Sequence, residues 1–63
     1  MSNVLQVVGD HIVSVCRQQG ISEVDCIPMI NAYLRKVPAG QRPTTTAVVM
    51  YSKRKLYNLV PLD

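Results

Sequence analysis

The chain has no tryptophan and no phenylalanine, and only three tyrosines, two cysteines and one histidine. Without large aromatic anchors, any core must be assembled from Val, Ile, Leu, Met and the tyrosines. With one histidine, no glycine-rich phosphate loop and no carboxylate pair beyond Glu23 and Asp25, no catalytic constellation is present, and the expectation is that the chain is not an enzyme. His11, Cys16 and Cys26 show neither CxxC nor HxxxH spacing and fall short of the four ligands structural zinc wants, so neither a metal nor a cofactor is expected. No apolar run approaches the roughly 20 residues of a membrane span, and the N-terminus lacks the basic start and continuous apolar stretch of a secretory signal. A cytoplasmic location is therefore expected, with Cys16 and Cys26 as reduced, buried small hydrophobes rather than a bridge.

What is present is a 63-residue chain that reads as a single small domain, from its initiator Met to Pro61-Leu62-Asp63 a complete small gene product. A domain of that size buries only about 60% of the surface its unfolded chain exposes, so its stability is marginal, and dimerisation is the expected remedy. Charge is unevenly placed. Residues 1–34 hold Asp10, Glu23, Asp25 and Arg17, whereas residues 35–63 hold Arg35, Lys36, Arg42, Lys53, Arg54 and Lys55 against Asp63. The net charge of +3 thus conceals a strongly basic second half. Such asymmetry marks either a nucleic-acid-binding protein or one that docks on an acidic partner.

Residues 3–19 show helical periodicity: Val4, Leu5, Val8, Ile12, Val15 and Cys16 share one face, and Gln6, Asp10, Ser14 and Arg17 the other. Ser2 or Asn3 can cap the start, Gly20 can close the end, and Val7 and Val13 lie off the stripe as ordinary surface. A second helix is expected over 25–37, capped by Asp25, with Pro28 early enough for its missing N–H to go unnoticed. Its apolar face holds Cys26, Ile27, Ile30, Tyr33, Leu34 and Val37 and pairs with the first helix; Asn31, Arg35 and Lys36 are on its polar face. Pro38, Gly40 and Pro43 mark a connection. Thr44-Thr-Thr-Ala-Val-Val-Met-Tyr51 is dense in β-branched residues and reads as a strand, with the turn at 52–55, a second strand at 56–60 and Pro61 as its end. The expected fold is α+β: two amphipathic helices followed by a two-stranded antiparallel hairpin over 45–60. A different parse caps a short helix with Ser52 and makes the chain all-α, but the Thr44–Val49 run speaks for the strand.

Two helices followed by a hairpin with a basic tip resemble the C-terminal half of winged helix-turn-helix regulators. The residues carrying the likeness are Val48-Val49-Met50-Tyr51, Lys53-Arg54-Lys55 and Leu56-Tyr57-Asn58-Leu59-Val60-Pro61-Leu62, together with the spacing of Cys16, Gly20, Ile21, Ser22 and Cys26. The chain departs from that pattern at Pro28, in the long 37–46 connection and in lacking a first helix. The resemblance implies DNA as partner. Asn31, Arg35 and Lys36 would approach the groove, Lys53, Arg54 and Lys55 would meet phosphates, and Arg42 would assist from the connection.

The sequence therefore leads to two expectations about function. One is a dimeric, phage- or bacterial-type DNA-binding regulator. The other is a small inhibitor or adaptor binding an acidic surface of a larger protein through the same cations.

Overall fold

Helix α1, Val4–Gln19, starts and stops on residues suited to those positions. In this computed structural model, which describes residues 3–57, Asn3 is extended and its side-chain oxygen accepts the Gln6 N–H at 3.2 Å, satisfying one orphan donor of the first turn. Gly20 closes the helix at φ 66°, a left-handed conformation that glycine adopts without a Cβ penalty. Its N–H and that of Ile21 both return to the Cys16 carbonyl.

The chain then makes a 3₁₀ turn, Glu23–Cys26, and enters α2, Ile27–Leu34. Asp25 does not cap α2; its carboxylate accepts the Ser22 hydroxyl at 3.0 Å inside the preceding turn. Pro28 falls in the first turn of α2, where no intrahelical partner exists for an N–H. The helix also ends sooner than 37. Lys36 and Val37 donate to Tyr33 and Leu34, tightening the chain ahead of Pro38, whose ring disfavours helical backbone at the residue before it. A second 3₁₀ turn, Ala39–Gln41, lies in the connection.

The hairpin expected over 45–60 is not formed. Thr45–Leu56 is a third helix, α3, and the described residues contain no strand, so the α+β expectation is corrected to all-α. The β-wing of the winged-helix reading is absent with it. The remainder of the expected second strand and exit, Asn58, Leu59, Val60 and Pro61, lies outside the described residues. The physical reason begins at Thr44, which is extended at φ −77° and ψ 155° and whose hydroxyl oxygen accepts the Ala47 N–H at 3.1 Å. Such a cap contributes about 1 kcal/mol, and β-branched residues cost a helix at most about 0.7 kcal/mol each, so burial decides. At helical spacing Val48 and Ser52 are buried, and Thr45, Val49 and Leu56 half-buried beside them. Lys53, Arg54 and Lys55 then occupy the last turn, where cations oppose the helix dipole.

One core joins the three helices. Val8, Ile12 and Cys16 of α1 meet Cys26, Ile30 and Leu34, and Val48 of α3 completes the cluster. Gly9 and Val13 are buried as well, on a second side of α1. There the Tyr51 ring lies over Gly9, and the buried Ser52 hydroxyl donates to its own Val48 carbonyl at 2.9 Å and reaches the Gly9 carbonyl at 3.5 Å. Leu5 borders Ala47 and Met50, Gly9 and Asp10 meet Tyr51, and Arg17 meets Lys55, so α1 and α3 pack directly and run in the same direction, while α2 runs back along α1 from Cys26 beside Cys16 to Tyr33 beside His11. Among the described residues no helix is long and apolar enough to cross a membrane.

Candidate nucleic-acid interface

The seven cationic or amide side chains singled out from the sequence fall into two groups at opposite ends of α3. Twelve helical residues rise about 18 Å, which sets the scale of the separation.

At the N-terminal end, Asn31, Arg35 and Arg42 border an open cleft of about 430 Å³ together with Thr44 and Thr45. Two of the three are engaged in holding the fold. The Asn31 side-chain oxygen accepts the Thr45 hydroxyl at 2.6 Å, tying the end of α2 to the start of α3. The Arg42 guanidinium donates twice to the Val37 carbonyl, at 2.8 and 3.2 Å, closing the connection around Pro38. Arg35 is exposed. Lys36, which does not border the cleft, has its ammonium 5.8 Å from the centre of the Tyr33 ring. The Tyr33 hydroxyl in turn lies 2.6 Å from His11 Nε2.

At the C-terminal end, Lys53, Arg54 and Lys55 are presented by a helix and not by a hairpin tip. Lys55 is exposed but engaged at the surface: its ammonium is 3.6 Å from the Asp10 carboxylate and 5.6 Å from the centre of the Tyr51 ring. The Asp10 charge, aided by the Tyr51 hydroxyl, holds the Lys55 ammonium above its ordinary range. Asp10 also accepts the Tyr51 hydroxyl at 2.8 Å, and that bond raises the tyrosine's pKa as well. Lys53 and Arg54 are exposed, and neither forms an ion pair among the described residues.

A fourth cation joins this end. Arg17 donates to the Lys55 carbonyl at 3.4 Å, in the last turn of α3. Sequence reasoning placed Arg17 only on the polar face of α1, and no local signal could have linked it to a residue 38 positions away. Met50 of α3 and Tyr57, the residue that caps its end, are each 52% exposed. Tyr57 is fastened at its tip, where its hydroxyl donates to Glu23 at 2.9 Å and has its pKa raised by that bond. Glu23 is itself buried. Thr46, Met50, Lys53, Arg54 and Tyr57 thus form the solvent face of α3.

Among the described residues no three His, Cys, Asp or Glu side chains converge as metal ligands. Comparison with known protein families, with curated proteins and with solved structures finds no match to this chain.

Proposed function

We propose that the chain is a small cytoplasmic nucleic-acid-binding regulatory protein that meets the phosphate backbone with the basic end of α3. The observation that carries this reading is the gathering of Arg17, Lys53, Arg54 and Lys55 around one helix terminus, with Lys53 and Arg54 exposed and, among the described residues, in no ion pair. Asp10, the buried Glu23 and the roughly half-charge of the helix C-terminus offset part of that potential. Lys53 and Arg54 remain as the outward charges. Phosphate contacts require clustered cations on a projecting element more than a carved pocket, and a helix end supplies that.

Binding of a mixed-sequence duplex, followed by fluorescence anisotropy at about 50 and 200 mM salt, tests the reading. Wild-type affinity is expected to fall steeply with salt. Lys53→Ala/Arg54→Ala is expected to weaken binding and to flatten the logarithmic salt slope by about two, since each lost phosphate contact removes about 0.9. Salt-independent binding, or a double variant that binds like wild type, would refute it.

One observation favours a second reading, a protein partner with an acidic surface. Leu5, Ala47 and Met50 line a mostly apolar cleft of about 180 Å³ beside Arg54, and a phosphate backbone has no use for such a strip. Met50→Ser separates the two, leaving nucleic-acid affinity unchanged but weakening capture of an acidic protein partner.

A further inference from the structure

We propose that Cys16 and Cys26 are a disulfide-forming pair, so that two-electron oxidation cross-links α1 to the 3₁₀ turn ahead of α2. This goes beyond the function proposed above and does not depend on it.

The two sulfurs are 3.3 Å apart, each is the other's hydrogen-bond partner, and both thiols are free. A disulfide bond is about 2.05 Å long, so the sulfurs need to approach by a little over 1 Å. The pair is also sealed, with Cys16 2% and Cys26 1% exposed. Burial, with the neighbouring thiol adding to it, pushes the Cys16 pKa up to about 12, so that in the closed fold it holds its proton at neutral pH. Oxidation therefore proceeds when the α1 contact with the 3₁₀ turn opens, and the finished bridge is shielded from external thiols once the contact closes.

The chemistry balances with a hydroperoxide as oxidant. One thiolate attacks the peroxide, the O–O bond breaks, and a sulfenic acid forms with release of water or an alcohol. The second sulfur then displaces the sulfenic oxygen as water, giving one S–S bond for two thiols oxidised and one peroxide reduced. Oxidised glutathione gives the same bridge by two exchanges, releasing two reduced glutathiones.

The location gives the bridge its consequence. Arg17, next to Cys16, holds the Lys55 carbonyl, and Glu23, three residues before Cys26, holds the Tyr57 hydroxyl. The cross-link would join the two elements that grip the C-terminal end of α3.

The test uses the reduced full-length chain in a glutathione redox buffer, once under native conditions and once in denaturant. The bridged form is read by intact mass as a loss of about 2 Da, the two hydrogens removed. It is located by trypsin, which cuts after Arg17 and Arg35 and leaves peptides 1–17 and 18–35 joined only through the two cysteines. The effective concentration of the pair is expected to be roughly tenfold or more higher when folded than when denatured, because whatever the bridge contributes to folding the fold must contribute to the bridge. The bridged chain is expected to melt on the order of 10 °C higher. Equal effective concentrations in the two conditions, a bridged chain that melts no higher, or disulfides that form only between chains would each overturn the proposal. The measurement needs no substitution, so a variant that fails to fold cannot obscure it.

Discussion

At the scale of the residue, the contact between α1 and α3 depends on Gly9. A Cβ built there would lie 2.2 Å from Cδ1 and 2.7 Å from Cε1 of Tyr51, inside any real contact. The ring cannot simply swing aside, because its hydroxyl is bonded to Asp10 and its face receives Lys55. Gly9→Ala would gain about 1 kcal/mol of helix propensity and is expected to lose more through overpacking, typically about 1–3 kcal/mol. Denaturant unfolding should therefore show a net destabilisation with a lowered midpoint, whereas a raised midpoint would mean that α3 does not lie where the structure puts it. Nothing in the sequence around Gly9 disclosed this role. A glycine inside a helical pattern reads as a modest penalty, and the ring that requires it is supplied from 42 positions away. Val13 was misread as surface: it lies off the apolar stripe of α1 and is nonetheless buried, on a second side of the helix that it shares with Gly9.

At the scale of the element, α1 was the most legible, since Asn3, Gly20 and the apolar stripe lie within the helix they define. The reading of 44–60 as a hairpin shows where local preference fails. Counting β-branched residues favoured a strand, but Thr45, Val48, Val49, Ser52 and Leu56 repeat at the spacing of a helical face, and Thr44 works as a cap rather than as a strand residue. Two substitutions separate these descriptions. Thr44→Ala is expected to cost about 1 kcal/mol through the lost bond to the Ala47 N–H. Thr46→Ala, two positions on and exposed, is expected to be neutral or stabilising by a few tenths of a kcal/mol, because alanine is the better helix former. In a strand the second change would be the harmful one, so chemical denaturation of the two variants decides between helix and strand. The candidate interface was legible in part. That 53–55 would be an exposed basic cluster could be seen in the sequence, but its company could not, because Arg17 is brought there by the fold and Lys55 is drawn away by Asp10.

At the scale of the whole molecule, the titrating groups with shifted pKa values all bias stability the same way. Cys16, Tyr51, Lys55 and Tyr57 each hold their proton more tightly in the folded chain, through burial, through the bond to Asp10, through the Asp10 charge and through the bond to Glu23 respectively. The unfolded chain therefore binds fewer protons at alkaline pH, and stability falls as pH rises. The contributions are complete below the unfolded values of 9.0 for cysteine, 10.0 for tyrosine and 10.5 for lysine, and are lost as pH climbs through the raised folded values, which for Cys16 extend to about 12. Melting temperature measured from pH 7 to 11 should hold level as far as these groups are concerned until about pH 9 and then decline. The decline should be shallower in Cys16→Ala, and an unchanged slope in that variant would remove the thiol from the account. The parallel course of α1 and α3 has a kinetic consequence. The pairs that join them, Gly9 with Ser52, Asp10 with Tyr51 and Arg17 with Lys55, are separated by 43, 41 and 38 positions, most of the chain. Individual helices form within about a microsecond, but here the two outer helices gain their shared core only after the intervening segment has looped back. Because those contacts are distant in sequence, the chain is expected to fold more slowly than a helical chain of the same size whose packed helices are neighbours in sequence.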